Sequence, residues 1–84
     1  MSPERADILN VMAVNLGHAK DEEGAVKVAR EALSRDPNHA EAHFNLAWWL
    51  SEDRQTLDEA RTHYEAALAA GAPDHPRLEK RLKD

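Results

Sequence analysis

The side chains best suited to chemistry in this chain are its five histidines, two of which stand four residues apart. His39 and His43, in the run His-Ala-Glu-Ala-His, would share one helix face and could together hold a metal ion. A metalloprotease site needs a glutamate directly after the first histidine as general base, and this chain has Ala40 there. His43 also falls on an apolar helix stripe. We therefore expect structural or surface roles for these histidines and no metal site.

Nucleophilic and phosphate-binding chemistry find no better support. The serines at positions 2, 34 and 51 form no nucleophile–base arrangement at helical spacing. The three glycines, at positions 17, 24 and 71, are isolated and make no phosphate-binding loop. The sequence therefore predicts a protein that is not an enzyme and needs no cofactor.

Composition indicates one small domain spanning residues 1–84, with 42% hydrophobic and 32% charged residues. The absence of cysteine excludes disulfides and cysteine-containing zinc sites. A net charge of −5 argues against nonspecific binding to nucleic acid or anionic membranes, which requires a basic face. No apolar run approaches the roughly 20 residues of a membrane span, and the N-terminal residues lack a signal peptide's apolar region. We expect a cytoplasmic protein.

Apolar residues recur with helical spacing in four long segments and one short C-terminal segment. The breaks between them fall at residues 17–23, 36–38, 51–55 and 71–75. Asn38 or His39 is expected to begin the third helix, and Thr56 with Glu59 fits a capping box opening the fourth. His75-Pro76 would begin the fifth. The sequence predicts an all-α fold of five helices.

The two long helix pairs repeat the same apolar pattern. A shift of 34 residues lays the first helix on the third, and a shift of 35 lays the second on the fourth. The matching residues are Ala13, Leu16, Ala25, Ala29, Ala32 and Pro37 in the first pair and Leu46, Ala47, Leu50, Ala60, Tyr64 and Ala67 in the second. This pattern resembles the tetratricopeptide repeat. Lys20 and Arg54 stand where that family favours glycine, and Glu22 replaces its usual aromatic residue.

The resemblance implies a right-handed α-solenoid of antiparallel helix–turn–helix repeats. Repeat 1 would cover about residues 6–39, repeat 2 about 40–74, and a capping helix about 75–83. The basic residues of the last helix suit a solvated cap. The first helix has no comparable polar cover, so its apolar face is expected to lie bare.

The adjacent tryptophans Trp48 and Trp49 cannot both occupy the centre of one buried stripe, because neighbouring helix residues point about 100° apart. The buried stripe of the third helix consists of His43, Leu46, Ala47 and Leu50. Trp49 lies on its flank and is expected to pack against the first helix, near Ile8 and Asn15. Trp48 points away from the stripe.

By the resemblance, the first helix of each pair lines a concave groove, into which Trp48 would project. The candidate partner-binding residues are Asn10, Val11, Val14, Phe44, Asn45 and Trp48, with Asp7, Glu41 and Glu52 at an acidic margin. Exposed apolar patches of this kind commonly mark interaction sites. We expect a protein or peptide partner with a hydrophobic or mildly basic segment. Its backbone would be hydrogen-bonded by the two asparagines.

Three alternatives stay open at the level of sequence. The fifth helix could fold across the groove and cover Trp48, leaving no free surface. The groove or the bare first helix could pair with another copy in a homodimer. The chain could also be a fragment of a longer repeat array. The carboxylate clamp of one subgroup of the family is not expected, because only Asn45 and Lys80 match its residues.

Overall fold

A computed structural model describes residues 3–83. They form the helices α1 (Pro3–His18), α2 (Glu22–Arg35), α3 (Ala40–Leu50), α4 (Leu57–Ala69) and α5 (Pro76–Leu82), with a 3₁₀ turn at Arg54–Thr56 before α4. No strand occurs in this part of the chain. The predicted all-α fold of five helices is therefore confirmed. None of the described helices is both long enough and apolar enough to cross a membrane.

Two helices begin at a histidine that acts as the N-cap. The Nδ1 of His39 accepts a hydrogen bond from the Ala42 amide, and the Nδ1 of His75 accepts one from the Leu78 amide, each at 3.1 Å. Because Nδ1 is an acceptor, the hydrogen of the neutral His39 ring lies on Nε2, which donates to the Asp7 carboxylate at 2.6 Å. The predicted start of α3 is confirmed, and its cap also ties α3 to α1.

The predicted capping box at the start of α4 is wrong. The Thr56 hydroxyl donates to the Leu50 carbonyl at 2.7 Å and makes no capping bond to α4. It satisfies a carbonyl that the end of α3 leaves without a helical partner. Glu59, the other half of the expected box, instead pairs with Arg30 of α2, and this hydrogen bond lowers the pKa of its carboxyl.

The core is built mainly from alanine and leucine. Ala13, Ala25, Ala29, Ala32, Ala47, Ala60 and Ala67 are fully buried, and Leu46 and Leu78 are the largest side chains with no exposure. Small residues let helix backbones approach closely, so successive helices pack α1 on α2, α2 on α3, and α3 on α4. The helix α5 closes the far end of the stack against α4.

At the N-terminal end of the helix stack, the apolar face of α1 is uncovered, as the sequence predicts. Ile8 and Met12 of α1 are 61% and 48% exposed. The residues 34 positions later, Ala42 and Leu46, are fully buried. The same helix face is thus covered in α3 and uncovered in α1.

Trp49 packs between the helix pairs, as expected, but at a different place on α1. A Cβ atom added to Gly17 would lie only 2.9 Å from Cζ2 of the Trp49 indole. The glycine therefore lets the ring lie directly against the end of α1, about half a turn beyond Asn15 and two and a half turns beyond Ile8, the two residues of the predicted contact.

Candidate functional site

Two adjoining cavities lie on either side of Asn45, which lines both. The first, of about 520 Å³, is lined by Ala40, Glu41, Phe44, Asn45 and the segment 70–75 between α4 and α5. The second, of about 370 Å³, is lined by Val14, Gly17, His18, Glu22, Asn45, Trp48, Trp49 and Glu52. We call these two cavities together the groove. Their sizes fall in the usual range for binding pockets.

Trp48 lines the second cavity and also touches α5. Its indole is half-buried, with the guanidinium carbon of Arg81 lying 4.4 Å from the ring centre. This is a cation–π contact. The His75 ring meets the same indole edge-on, with centroids 5.6 Å apart. The fifth helix thus covers part of Trp48 and leaves the rest facing the second cavity.

Phe44 contributes the aromatic surface of the first cavity. It is half-buried, and its ring centroid lies 5.1 Å from that of His75. The His75 ring therefore caps α5 and contacts both candidate aromatic residues of α3. One histidine fixes the start of α5 relative to the groove.

The two candidate asparagines bind each other. Asn45 Nδ2 donates to Asn10 Oδ1 at 3.1 Å, and Asn10 Nδ2 lies 3.5 Å from a Glu41 carboxylate oxygen. Asn10 is only 4% exposed and lines neither cavity. It positions Asn45, whose Oδ1 receives no hydrogen bond from residues 3–83 and can accept one from a ligand.

The two candidate valines of α1 differ in position. Val14 is half-buried and lines the second cavity, together with Asn45 and Trp48. Val11 is 58% exposed and lines neither cavity. The structure thus brings Val14, Asn45 and Trp48 together in one cavity, and Phe44 and Asn45 in the other.

The second cavity carries two neighbouring carboxyl groups. A hydrogen bond with the Glu22 side chain raises the pKa of Glu52, and partial burial and repulsion from Glu22 act in the same direction. The positive charge of Arg81 opposes this effect. Both carboxyl groups line the second cavity together with the two indoles.

Several lining residues escaped sequence reasoning. Gly17, His18 and Glu22 lie at the turn between α1 and α2, which the sequence marks only as polar. His75 and Arg81 belong to the short last helix, which the sequence predicts to cap the stack or to fold across the groove, without these two residues being singled out. One usable signal was present: Pro37-Asn38-His39 recurs as Pro73-Asp74-His75, which indicates that His75 opens a third copy of the first-helix pattern.

The two histidines considered for metal binding are separately engaged. Both nitrogens of His39 are used, by the Ala42 amide and the Asp7 carboxylate. His43 Nε2 lies 2.7 Å from the Pro37 carbonyl, and its Nδ1 lies 3.0 Å from Nδ1 of His63. Among the described residues, no group of three or more metal-binding side chains occurs.

The contact between the His43 and His63 rings limits how many protons the two imidazoles can carry together. The pair makes three hydrogen bonds, to the Pro37 carbonyl, between the two Nδ1 atoms, and to Glu59 at 3.3 Å. Each needs one N–H, so one imidazole must be charged and the other neutral for all three to form. A second proton would place two N–H groups against each other. Burial first, and then repulsion from His43, lower the pKa of His63, while Glu59 acts in the opposite direction.

This arrangement predicts a loss of stability in mild acid. Because the folded-state pKa of His63 lies below its unfolded value of about 6.5, the unfolded chain binds more protons as the pH falls through that value. Urea unfolding between about pH 7.5 and pH 5.5 should show a smaller loss in His63→Gln than in the wild type. The exposed His18→Gln, which removes a histidine outside this pair, serves as the control. If all three proteins lost the same unfolding free energy between these pH values, the proposed limit on protonation of the histidine pair would be contradicted.

A comparison with protein-family models matches residues 28–62 to the tetratricopeptide repeat family. The match runs from the second turn of α2 through α3 and into the middle of α4. Searches of curated proteins and of solved structures found no match. Five helices fit two repeats followed by a capping helix, and together with the matched segment they support placing this chain in the tetratricopeptide repeat family.

Proposed function

We propose that this protein is an interaction module that receives a peptide segment of a partner protein in the groove. Tetratricopeptide repeats generally mediate protein–protein contacts and are typically non-catalytic scaffolds. The observation that carries the proposal is the position of Trp48, partly exposed in a cavity that adjoins a second, mainly apolar one. Large aromatic residues in such pockets are the usual anchors of protein interfaces.

The groove supplies both kinds of contact that peptide recognition requires. Val14, Phe44 and Trp48 offer apolar surface, and the free Oδ1 of Asn45 can accept a backbone N–H of the ligand. Full burial of a tryptophan removes some 150–250 Å² from water. At most about a third of that area remains available here, which corresponds to about 1–2 kcal/mol of binding free energy. Asn10 holds Asn45 in place, and Val11 would contact only a partner that extends over the exposed side of α1.

Substitution of Trp48 tests the proposal. Linear peptides selected on the wild-type protein from a random library should bind Trp48→Ala about 30-fold more weakly, since a buried aromatic anchor is worth about 2 kcal/mol. Thermal stability should also fall, because the larger part of the indole is buried against the core. Affinity can be measured by fluorescence anisotropy of the labelled peptide, with circular dichroism as the folding check.

A matched control separates binding from stability. Leu68 is also half-buried against the core but lines neither cavity of the groove. Leu68→Ala should therefore also unfold at a lower temperature, but it should bind the selected peptides as the wild type does. Unchanged affinity in Trp48→Ala would reject the role of the groove.

Self-assembly is the second candidate function, and the bare face of α1 favours it. Ile8 and Met12 are exposed where their equivalents in α3 are buried, so a second copy could cover them and form a homodimer. Sedimentation velocity on the same wild-type samples separates the candidates. A monomer at every concentration would exclude self-assembly, and a dimer that retains peptide binding would assign the two activities to different faces.

A further inference from the structure

We propose that the second cavity takes a cationic side chain of the bound peptide, preferentially arginine, stacked against the indoles and paired with Glu22 and Glu52. The inference rests on the proposed function and names the chemistry of the partner at one end of the groove. Three observations support it: the aromatic lining of the cavity, the carboxyl groups of Glu22 and Glu52, and the Arg81 guanidinium group that already stacks on the Trp48 indole.

The shape of the second cavity suits a flat side chain. Trp48 and Trp49 both line it, and Gly17 lets the Trp49 ring lie against α1. Val14 adds aliphatic surface from the same helix. A volume of about 370 Å³ accommodates one long side chain with its methylene stem along these walls.

The charge of this cavity is mainly negative. Glu22 and Glu52 line it, and neither forms an ion pair within residues 3–83. Of the nearby cationic groups, His18 lines the same cavity and Lys20 lines a smaller adjoining one with both glutamates. A cation entering this cavity would be attracted by both carboxyl groups and would offset their mutual repulsion.

The protein itself shows that this part of α3 accepts a guanidinium group. Arg81 stacks on Trp48 at 4.4 Å, and its charge lowers the pKa of Glu52. Arg81 does not line the second cavity, so its contact leaves that cavity open to a ligand. An arginine of the partner would stack in the same way on the other part of the Trp48 indole, the part that faces the second cavity.

Arginine fits this site better than lysine. Its planar guanidinium can stack on an aromatic ring and donate to two carboxylates at once, whereas an ammonium group acts as a compact, strongly hydrated point charge. Glu22 and Glu52 are both exposed, so the gain from the charges is limited. Loss of the cation from a bound peptide should weaken binding by about fivefold.

The test uses peptides selected on the protein itself, so it does not require an identified partner. A random linear peptide library is selected in parallel on the wild type, on Glu22→Gln/Glu52→Gln, and on Glu23→Gln/Glu65→Gln. The last variant changes the net charge equally at exposed positions that line neither cavity of the groove. Selection on the wild type and on this control should enrich peptides that carry an arginine beside an apolar residue. Selection on the cavity variant, Glu22→Gln/Glu52→Gln, should enrich only the apolar residue.

One selected peptide is then synthesised with arginine and with glutamine at the enriched position. The change should weaken binding to the wild type by about fivefold and leave binding to the cavity variant unchanged. Enrichment without any basic residue, or equal enrichment of arginine on the cavity variant, would overturn the inference and leave the groove intact as a peptide site. A failure to enrich any peptide would overturn the proposed function itself.

Discussion

Leu46→Ala should reduce the free energy of unfolding by about 2–5 kcal/mol, the range for a leucine truncated in a closed core. Leu46 has no exposed surface and belongs to one cluster with Ala13, Ala29, Leu50 and Tyr64, contributed by α1 through α4. Backbone packing fixes the alanines around it, so the space left by the side chain cannot collapse. A domain of 84 residues has roughly 4–13 kcal/mol in total, and this single change removes a large share of it. Urea unfolding followed by circular dichroism measures the loss.

Met12→Ala is the internal control for this prediction. Met12 occupies the same repeat position 34 residues earlier, but it is 48% exposed. Its truncation removes little buried surface and should cost less than about 1 kcal/mol. Similar losses for both variants would mean that the α1 face is covered in solution, and an accompanying concentration dependence of unfolding would identify a second copy as the cover.

The helices could be predicted because their signals are local. Pro37 cannot continue α2, and the run Gly71-Ala72-Pro73 ends α4, where Gly71 adopts a left-handed conformation with φ of 108°. Apolar spacing then assigns each helix its buried face. The capping box failed because Thr56 had two possible partners. A local pattern cannot tell that the fold places the Leu50 carbonyl, at the end of α3, within hydrogen-bond distance of this hydroxyl.

Only the part of the candidate site that follows from the geometry of a single helix could be predicted from the sequence. The angle between adjacent residues separates Trp48 from Trp49 and correctly directs Trp49 to α1, but it does not show that the Trp49 ring also lines the second cavity. Tertiary contacts decide the rest. The burial of Asn10 depends on Asn45 across the helix pair, and the cation on Trp48 comes from α5, which lies more than 30 residues further along the chain.

Leu78→Ala should release α5 and reduce the free energy of unfolding by about 2–5 kcal/mol. The helix has seven residues, far fewer than an isolated helix needs in water, so its stability depends on docking. Leu78 has no exposed surface and is, with Leu82, one of its two buried residues. Hydrogen exchange should show fast-exchanging amides in α5 while those of α3 and α4 stay protected.

The polar contacts of α5 cannot hold it without that leucine. The Tyr64 hydroxyl donates to Glu79 at 2.6 Å and accepts from the His75 amide at 2.9 Å, and Arg61 donates to the Leu82 carbonyl at 2.6 Å. Each such bond contributes only about 1 kcal/mol net, less than the conformational entropy of ordering the helix. These bonds fix the orientation of a helix that is held in place by apolar burial.

Lys80→Ala provides the matched change on the solvent side of the same helix. Lys80 is exposed, and alanine favours the helix at least as well, so docking and protection of α5 should be unchanged. In Leu78→Ala, by contrast, the release of α5 takes Arg81 and His75 away from Trp48 and removes His75 from the first cavity. The selected peptides should then lose affinity together with the protection of α5. If affinity survives while α5 exchanges freely, the fifth helix closes the core without shaping the groove, and the peptide contacts lie on α1 and α3 alone.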